Sequence, residues 1–128
     1  MSSNAVRAIV EAKLSSIIGV TCKIAWDNVP YNPKVGVTFV RCSIDGVFSQ
    51  QIAIGCVRDT YRIVIDVLTP YGVGTKDNMT LSDSIIAGFV NYASGYLSCK
   101  TGVIERVGQV EEWHQRTVVI DAQYDNHF

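Results

Sequence analysis

The chain has 128 residues, of which 48% are hydrophobic and 18% charged, with 12 acidic and 11 basic side chains. This length predicts one domain over residues 1–128 and excludes a multidomain machine. The composition is too apolar and too balanced in charge for a disordered chain. The few scattered basic residues argue against phosphate-backbone binding as the main role, since that needs a Lys/Arg surface. So little charge also leaves the surface open to burial against partner proteins.

No apolar run approaches the roughly 20 residues of a bilayer-spanning helix, and residues 1–4 lack the basic stretch and apolar region of a signal peptide. We therefore expect a chain that stays in the cytoplasm. The cysteines show no CxxC pair and no zinc spacing: Cys22, Cys42, Cys56 and Cys99. Cys42 and Cys56 stand in apolar runs, which favours a buried hydrophobic role. A disulfide between two of these cysteines remains an alternative only if an assembled particle matures in oxidising surroundings.

An amphipathic helix is predicted over residues 3–18, because apolar side chains recur there at steps of three and four, and Gly19 is its natural end. Residues 22–26 then predict a short extended segment. Pro30 and Pro33 exclude helix and interior strand from residues 29–34, so this stretch is interpreted as a fixed connector.

Three strands are predicted next, over residues 35–44, 47–57 and 61–68. The dipeptide Asp45-Gly46 between the first two is a strong hairpin signal. Arg58-Asp59-Thr60 is interpreted as the turn into the third strand. Such short joins predict an antiparallel meander.

A loop of about ten residues is predicted over 69–78 because it carries Pro70, Gly72 and Gly74; it exceeds the usual four to six, which suggests a function. Thr80 and Asp83 then fit a capping box that opens a second amphipathic helix.

This second helix should end by Ser98, and Thr101-Gly102 should start a second hairpin. Its strands are predicted over residues 103–113 and 117–124, with a join of uncertain length near His114-Gln115. The predicted fold is therefore α+β: a mostly antiparallel sheet, made of a meander plus a C-terminal hairpin, covered by two amphipathic helices.

The sequence shows no nucleophile elbow, zincin motif, P-loop or acidic calcium loop, so it predicts no catalytic residue, no metal and no cofactor. Residues 72–76 contain G-x-G-T-K but lack the spacing of a phosphate loop. Asp66 and Asp121 could form a carboxylate pair, although solvated strand faces place carboxylates this way far more often. A small enzyme or ligand-binding domain that uses Asp66, Asp121 or His114 stays open as an alternative.

Charged residues dominate the last predicted hairpin: Glu105, Arg106, Glu111, Glu112 and Arg116. They fit either an exposed strand pair that charge keeps soluble or a docking surface. The two tryptophans, Trp26 and Trp113, each stand at a predicted strand end. Each fits either a capped core edge or an interface anchor.

A distinctive run occupies residues 24–33, with the sequence Ile-Ala-Trp-Asp-Asn-Val-Pro-Tyr-Asn-Pro. This I-x-W-x-N-x-P-[FY]-x-P pattern resembles the tail-terminator (tail-completion) proteins of long-tailed bacteriophages. The order of a strand, a Pro/Gly loop, a long amphipathic helix and a final hairpin with a tryptophan extends the resemblance to residues 5–124. The matching connector positions are Trp26, Asn28, Pro30, Tyr31 and Pro33.

The resemblance implies a virion structural protein that forms a six-membered ring on the head-proximal end of the tail tube. Such a ring stops tube polymerisation and offers a surface to head-side neck proteins, while DNA passes through its channel only as cargo. It carries over no catalytic residue. We expect Tyr71, Val73 and Lys76 of the long loop to contact the neighbouring subunit or line the channel. Another neck component, such as a head-closure or connector-associated protein, stays open as an alternative.

Overall fold

A computed structural model describes residues 2–19, 23–26, 37–72, 76–90, 92–94, 97–110 and 112–127. Its elements follow one another as α1 (Ser2–Ile18), β1 (Lys23–Trp26), β2 (Phe39–Ala53), β3 (Cys56–Pro70), α2 (Lys76–Phe89), β4 (Ala93–Ser94), β5 (Leu97–Val110) and β6 (Trp113–His127). The α+β class is confirmed. Four of the connector residues lie outside the described residues: Asn28, Pro30, Tyr31 and Pro33.

The described strands form one six-stranded sheet in the order β1-β2-β3-β6-β5-β4. Every pairing is antiparallel except that of β1 with β2, which is parallel. At the centre, β3 and β6 pair without interruption from Cys56 opposite His127 to Pro70 opposite Trp113. This long central pair sets the frame on which the other strands and both helices lie.

Helix α1 confirms the predicted amphipathic stripe. Val6, Val10, Leu14 and Ile18 are buried at steps of four. Gly19 ends the helix in the left-handed region, with φ 60°, and its N–H donates to the Ser15 carbonyl at 2.7 Å. A residue with a side chain would be strained at this φ, which explains why glycine stands there.

Helix α2 buries one side of its cylinder: Asn78, Ser82, Ile85 and Phe89. It packs on β6, β5 and β3, and it also contacts α1. The two helices approach closely at Gly88, where an added Cβ would lie 2.4 Å from the Cδ1 atom of Ile17. Both helices therefore lie side by side on the same face of the sheet.

The main core lies between the helices and that face. In β3, the side chains of Tyr61, Ile63, Ile65 and Val67 are buried while their neighbours point away. The other strands add buried side chains to the same cluster: Val40, Cys42, Leu97, Cys99, Val118, Ile120 and Ala122. Cys42 is buried as predicted, and Cys56 is half-buried.

The predicted three-strand meander is wrong. Residues 39–53 form one strand, the turn lies at Ile54-Gly55, and residues 58–60 lie inside β3. Asp45-Gly46 does not turn the chain. It lies at an irregularity of the β2–β3 register, between Gly46 and Phe48. Gly46 still pairs with Tyr61, and the strand continues past the irregularity to Ala53, so a bulge here bends the strand without ending it.

The predicted boundaries in the second half are also wrong. Thr69 and Pro70 still belong to β3, and α2 begins at Lys76, so the loop is shorter than predicted. Thr80 lies inside α2 and opens no helix. The helix ends at Phe89.

The C-terminal hairpin differs from its prediction as well. Strand β5 already begins at Leu97, whereas the predicted start was Thr101-Gly102. Strand β5 ends at Val110 and β6 begins at Trp113, so the predicted turn residues His114 and Gln115 belong to β6. They pair with Thr69 and Leu68, because β6 follows β3 along its whole length.

Candidate assembly surface

The side of the sheet opposite α1 and α2 is called here the uncovered face, because neither helix packs on it. It consists of the side chains that alternate with the core residues along β2, β3, β6 and β5. The register aligns these side chains in rows across the four strands. The uncovered face is thus assembled from segments that are distant in sequence.

The middle row of the uncovered face is apolar. Val64 pairs with Val119, which pairs with Val103, and Ser43 adjoins Val64 on the other side. Val64 and Val119 are half-buried, whereas the Val103 side chain is 60% exposed. One exposed valine beside two half-buried ones, between charged rows, fits a surface that associates.

A closed polar network joins the neighbouring row, which contains Arg41, Asp66 and Thr117, to Gln115 in the row beyond it. The Arg41 guanidinium lies 3.3 Å from the Asp66 carboxylate and donates to the Gln115 amide oxygen at 3.5 Å. Gln115 donates to the Thr117 hydroxyl at 3.2 Å, and this hydroxyl donates to Asp66 at 2.8 Å. Each polar group thus orients the next, so this row presents a fixed arrangement of charge.

Ion pairs continue beyond the valines on the β3–β6 pair. Arg62 lies 3.7 Å from Asp121. Arg58 holds Asp125 with two nitrogen–oxygen contacts, of 2.8 and 3.3 Å. The hydrogen bond to Asp125, and then the charge of the same carboxylate, raise the pKa of Arg58. Because exposed ion pairs add little stability, their main effect here is to fix the charge pattern of the face.

A second apolar cluster lies at the other end of the uncovered face and contains Phe39, Leu68 and Trp113, each buried. The rings of Phe39 and Trp113 meet edge to face, with centroids 5.5 Å apart. The Trp113 indole N–H donates to the Val37 carbonyl at 3.5 Å. Trp113 therefore closes a core edge. Trp26 lies on β1 and packs half-buried against the main core.

Both flanks of the sheet carry strand edges without a strand partner in the part of the chain that the structure describes. Strand β1 pairs only with residues 39–42 of β2, and β4 pairs only with residues 97–98 of β5. Among the described residues, the outer edges of residues 43–50 and 100–108 therefore have no partner strand. Open edges are templates for pairing with another chain.

The predicted contact residues of the loop are only partly described. Tyr71 is 57% exposed in the turn after β3, and its N–H donates to the Glu112 carbonyl at 2.9 Å. Lys76 is exposed but opens α2, whereas the loop was predicted to contain it. Val73 lies outside the described residues. Tyr71 and the turn before β6 thus form one end of the molecule.

The residues of the enzyme alternative are not brought together. Asp66 and Asp121 both lie on the uncovered face, but Asp66 faces Arg41 whereas Asp121 faces Arg62. Asp121 lies four positions after Thr117, the β6 partner of Asp66. His114 points to the opposite side of β6, toward the helices. The structure therefore offers no shared site for these three groups.

Asn78 is a buried residue that the sequence did not single out. Its side-chain amide donates to the Val67 carbonyl, the Thr69 hydroxyl and the His114 carbonyl, at 3.1, 3.2 and 3.0 Å. It thereby ties the start of α2 to β3 and β6. A signal was present, since Asn78 stands seven residues before Ile85 and eleven before Phe89, on their side of the helix.

Neither helix in the described part of the chain is long and apolar enough to cross a membrane. Within the same ranges, no three His, Cys, Asp or Glu side chains are grouped as metal ligands would be.

The comparisons with known proteins bear on the fold. No family model matches the chain, and no curated protein matches it. A solved structure of a protein that carries no functional name is similar over 100% of this chain and 97% of its own length, with a TM-score of 0.60 and 22% sequence identity. At this identity the similarity shows a shared fold over the whole chain and nothing about function.

Proposed function

We propose that the protein is a tail terminator of a long-tailed bacteriophage. It forms a hexameric ring on the head-proximal end of the tail tube, stops tube polymerisation and offers the head-joining surface. The run at residues 24–33 carries this proposal, because its pattern of Trp26, Asn28, Pro30, Tyr31 and Pro33 resembles that family. The uncovered face and the open strand edges support it, since both are features of a chain that assembles.

The two open edges belong to opposite flanks of the sheet, because β2 and β5 stand on either side of the β3–β6 pair. A ring needs two different, mutually complementary patches on each subunit. An edge on each flank satisfies this requirement, since β2 of one subunit can approach β5 of the next. A twofold dimer, by contrast, would use one self-complementary patch.

The other partners follow from the proposed position in the particle. Tail-tube protein contacts one side of the ring and head-side neck proteins contact the other, while DNA crosses the channel as cargo. Tyr71, Val73 and Lys76 contact the adjacent subunit or the channel. The protein assembles in the cytoplasm of the bacterial host and ends in the virion, at the neck.

Light scattering after size-exclusion chromatography, with and without tail-tube protein, tests the proposal. We expect a hexamer alone or on the tube end, and shorter tubes when the protein is added during polymerisation. A strict monomer that neither binds tubes nor arrests their growth would refute the function.

A pair of matched variants tests the surface. Val103→Glu places a charge in the apolar row of the uncovered face, whereas Val90→Glu places the same charge at the end of α2, where Val90 is also exposed. Ring formation should fail in the first variant and persist in the second. The opposite result would move the interface to the helical side.

A further inference from the structure

Three nitrogen-bearing side chains meet on the helix-facing side of the sheet, at the end where α2 begins. Two of them, His114 and Arg116, lie on β6. The third, Arg106, lies on β5 and pairs directly with Arg116, while Gln109 of β5 pairs with His114. His114 is only 6% exposed, Arg116 is half-buried and Arg106 is exposed. The cluster therefore runs from the interior to the surface on the β5 side. The sequence left two roles open for both arginines, an exposed solubilising pair or a docking surface, and the structure half-buries Arg116.

Two atoms of this cluster are buried without a hydrogen-bond partner: Nε2 of His114 and Nε of Arg116. In the described part of the chain, no carboxylate forms an ion pair with Arg106 or Arg116. Burying cationic nitrogen without a partner is unfavourable, and a native structure usually supplies one. The Arg116 Nε–H needs an acceptor, because a guanidinium can only donate, whereas Nε2 of a neutral His114 can either accept or donate, depending on its tautomer.

The first turn of α2 lies beside this place and carries both Lys76 and Asp77, so only its backbone N–H groups add positive potential there. The Asn78 amide holds the His114 carbonyl at 3.0 Å, which brings the first turn of the helix onto β6 beside the cluster. The first N–H groups of a helix have no partner within it and carry partial positive charge. Burial, followed by the charges of Arg116 and Arg106, lowers the pKa of His114. This lowered pKa favours the neutral imidazole.

We infer that His114, Arg116 and Arg106, beside the N-terminus of α2, form a binding site for an oxyanion. The group is a carboxylate on an adjoining protein chain or a phosphate-type ion from solution, and the chemistry of recognition is the same for both. The guanidinium groups supply charge-assisted hydrogen bonds, and the imidazole Nε2 becomes a donor when it is protonated. This inference is independent of the proposed function.

Histidine NMR provides a direct test. The two imidazoles, His114 and His127, are titrated from pH 5 to 8 in the full chain with increasing sulfate, whose charge is constant there, against sodium chloride of equal ionic strength. Sulfate should raise the pKa of His114 and leave that of His127 unchanged, because a bound anion favours the imidazolium. Equal shifts of both histidines, or no shift of His114 with sulfate or acetate, would overturn the inference.

A parallel titration with acetate distinguishes the two sources. A response to acetate alone identifies a carboxylate from another chain, whereas a response to sulfate identifies a phosphate-type ion; either one supports an oxyanion site. Arg116→Gln should weaken binding of the effective anion about tenfold, through the loss of charge-assisted hydrogen bonds.

The matched control is Arg62→Gln, which removes one charge from the uncovered face and should leave the affinity unchanged. Equal losses in Arg116→Gln and Arg62→Gln would reduce the effect to net charge and overturn the site. Thermal melts check the folding of both variants. If Arg116→Gln is unfolded, the exposed Arg106→Gln takes its place in the same comparison.

Discussion

The side-chain amide of Asn78 allows a sharp test of how the helical layer is held to the sheet. Asn78→Ala removes the donor shared by Val67, Thr69 and His114 and the acceptor of the Ser82 hydroxyl, which lies 3.3 Å away. An amide nitrogen has only two hydrogens, so two of the three contacts can be strong at once. The variant therefore loses two good hydrogen bonds in a site that is 0% exposed.

A buried acceptor that loses its donor costs about 1–3 kcal/mol. Two backbone carbonyls, those of Val67 and His114, lose a hydrogen-bond donor. Both belong to paired strands, so hydrogen bonds between the strands still satisfy part of their accepting capacity. We therefore expect the free energy of unfolding to fall by about 2–4 kcal/mol, a large part of the about 5–15 kcal/mol of a whole domain. The melting temperature should fall by about 10 °C, given the entropy of unfolding for a chain of this size.

Urea denaturation followed by circular dichroism provides the measurement, with the midpoint expected to shift at constant slope. Ser84→Ala is the matched control: it removes a hydroxyl from the same helix, but one that is exposed and bonds only the Thr80 carbonyl at 3.0 Å. That change should stay within about 0.5 kcal/mol. If Asn78→Ala lowered the free energy of unfolding by no more than this control, the reasoning would be refuted, because the buried amide would not anchor α2.

Trp26→Ala should lower the free energy of unfolding by about 2–3 kcal/mol in chemical denaturation, since its half-buried ring packs on the main core; a folded variant of wild-type stability would instead assign Trp26 to an interface. Gly88→Ala should lower the free energy of unfolding by about 1 kcal/mol, because the added methyl group meets Ile17. In an Ile17→Ala background, thermal melting should find the same change neutral or stabilising, because only the helix preference of alanine then remains. Burial raises the pKa of the Cys99 thiol to about 11, so this thiol is protonated at pH 8. Mass spectrometry should therefore find Cys56 modified by a thiol reagent before Cys99 in the native protein, and an equal rate would contradict this.

Local signals predicted the kind of each element well and its ends poorly. The apolar stripe of α1 and its end at Gly19 depend on neighbouring residues alone, so both could be predicted from the local sequence. The ends of β2 and β6 depend on pairing with β3, whose partners lie tens of residues away. The hairpin signal at Asp45-Gly46 did not produce a turn, because the residues on both sides of it pair with β3 across one register irregularity.

The surfaces were harder to predict than the elements. Val64, Val103 and Val119 become one apolar row only through the strand register, which no local pattern specifies. The role of Arg116 was left open between a solvated charge and a docking residue, because strand alternation does not say which face of a charged hairpin a helix covers. Asn78 was placed in a loop because Pro and Gly residues before it suggested a longer one. In each case the missing information was the position of a distant segment.

The register irregularities have a consequence for how subunits behave at high concentration. Strand β2 is interrupted between Gly46 and Phe48, and β5 between Arg106 and Gly108, where φ of Gly108 is 94°. A smooth edge would pair with any other smooth edge and could grow into open-ended fibres. An interrupted edge instead accepts only a partner whose own offset matches. We therefore expect concentrated, unassembled subunits to remain dispersed, and association to be selective because most accidental alignments leave backbone groups unpaired.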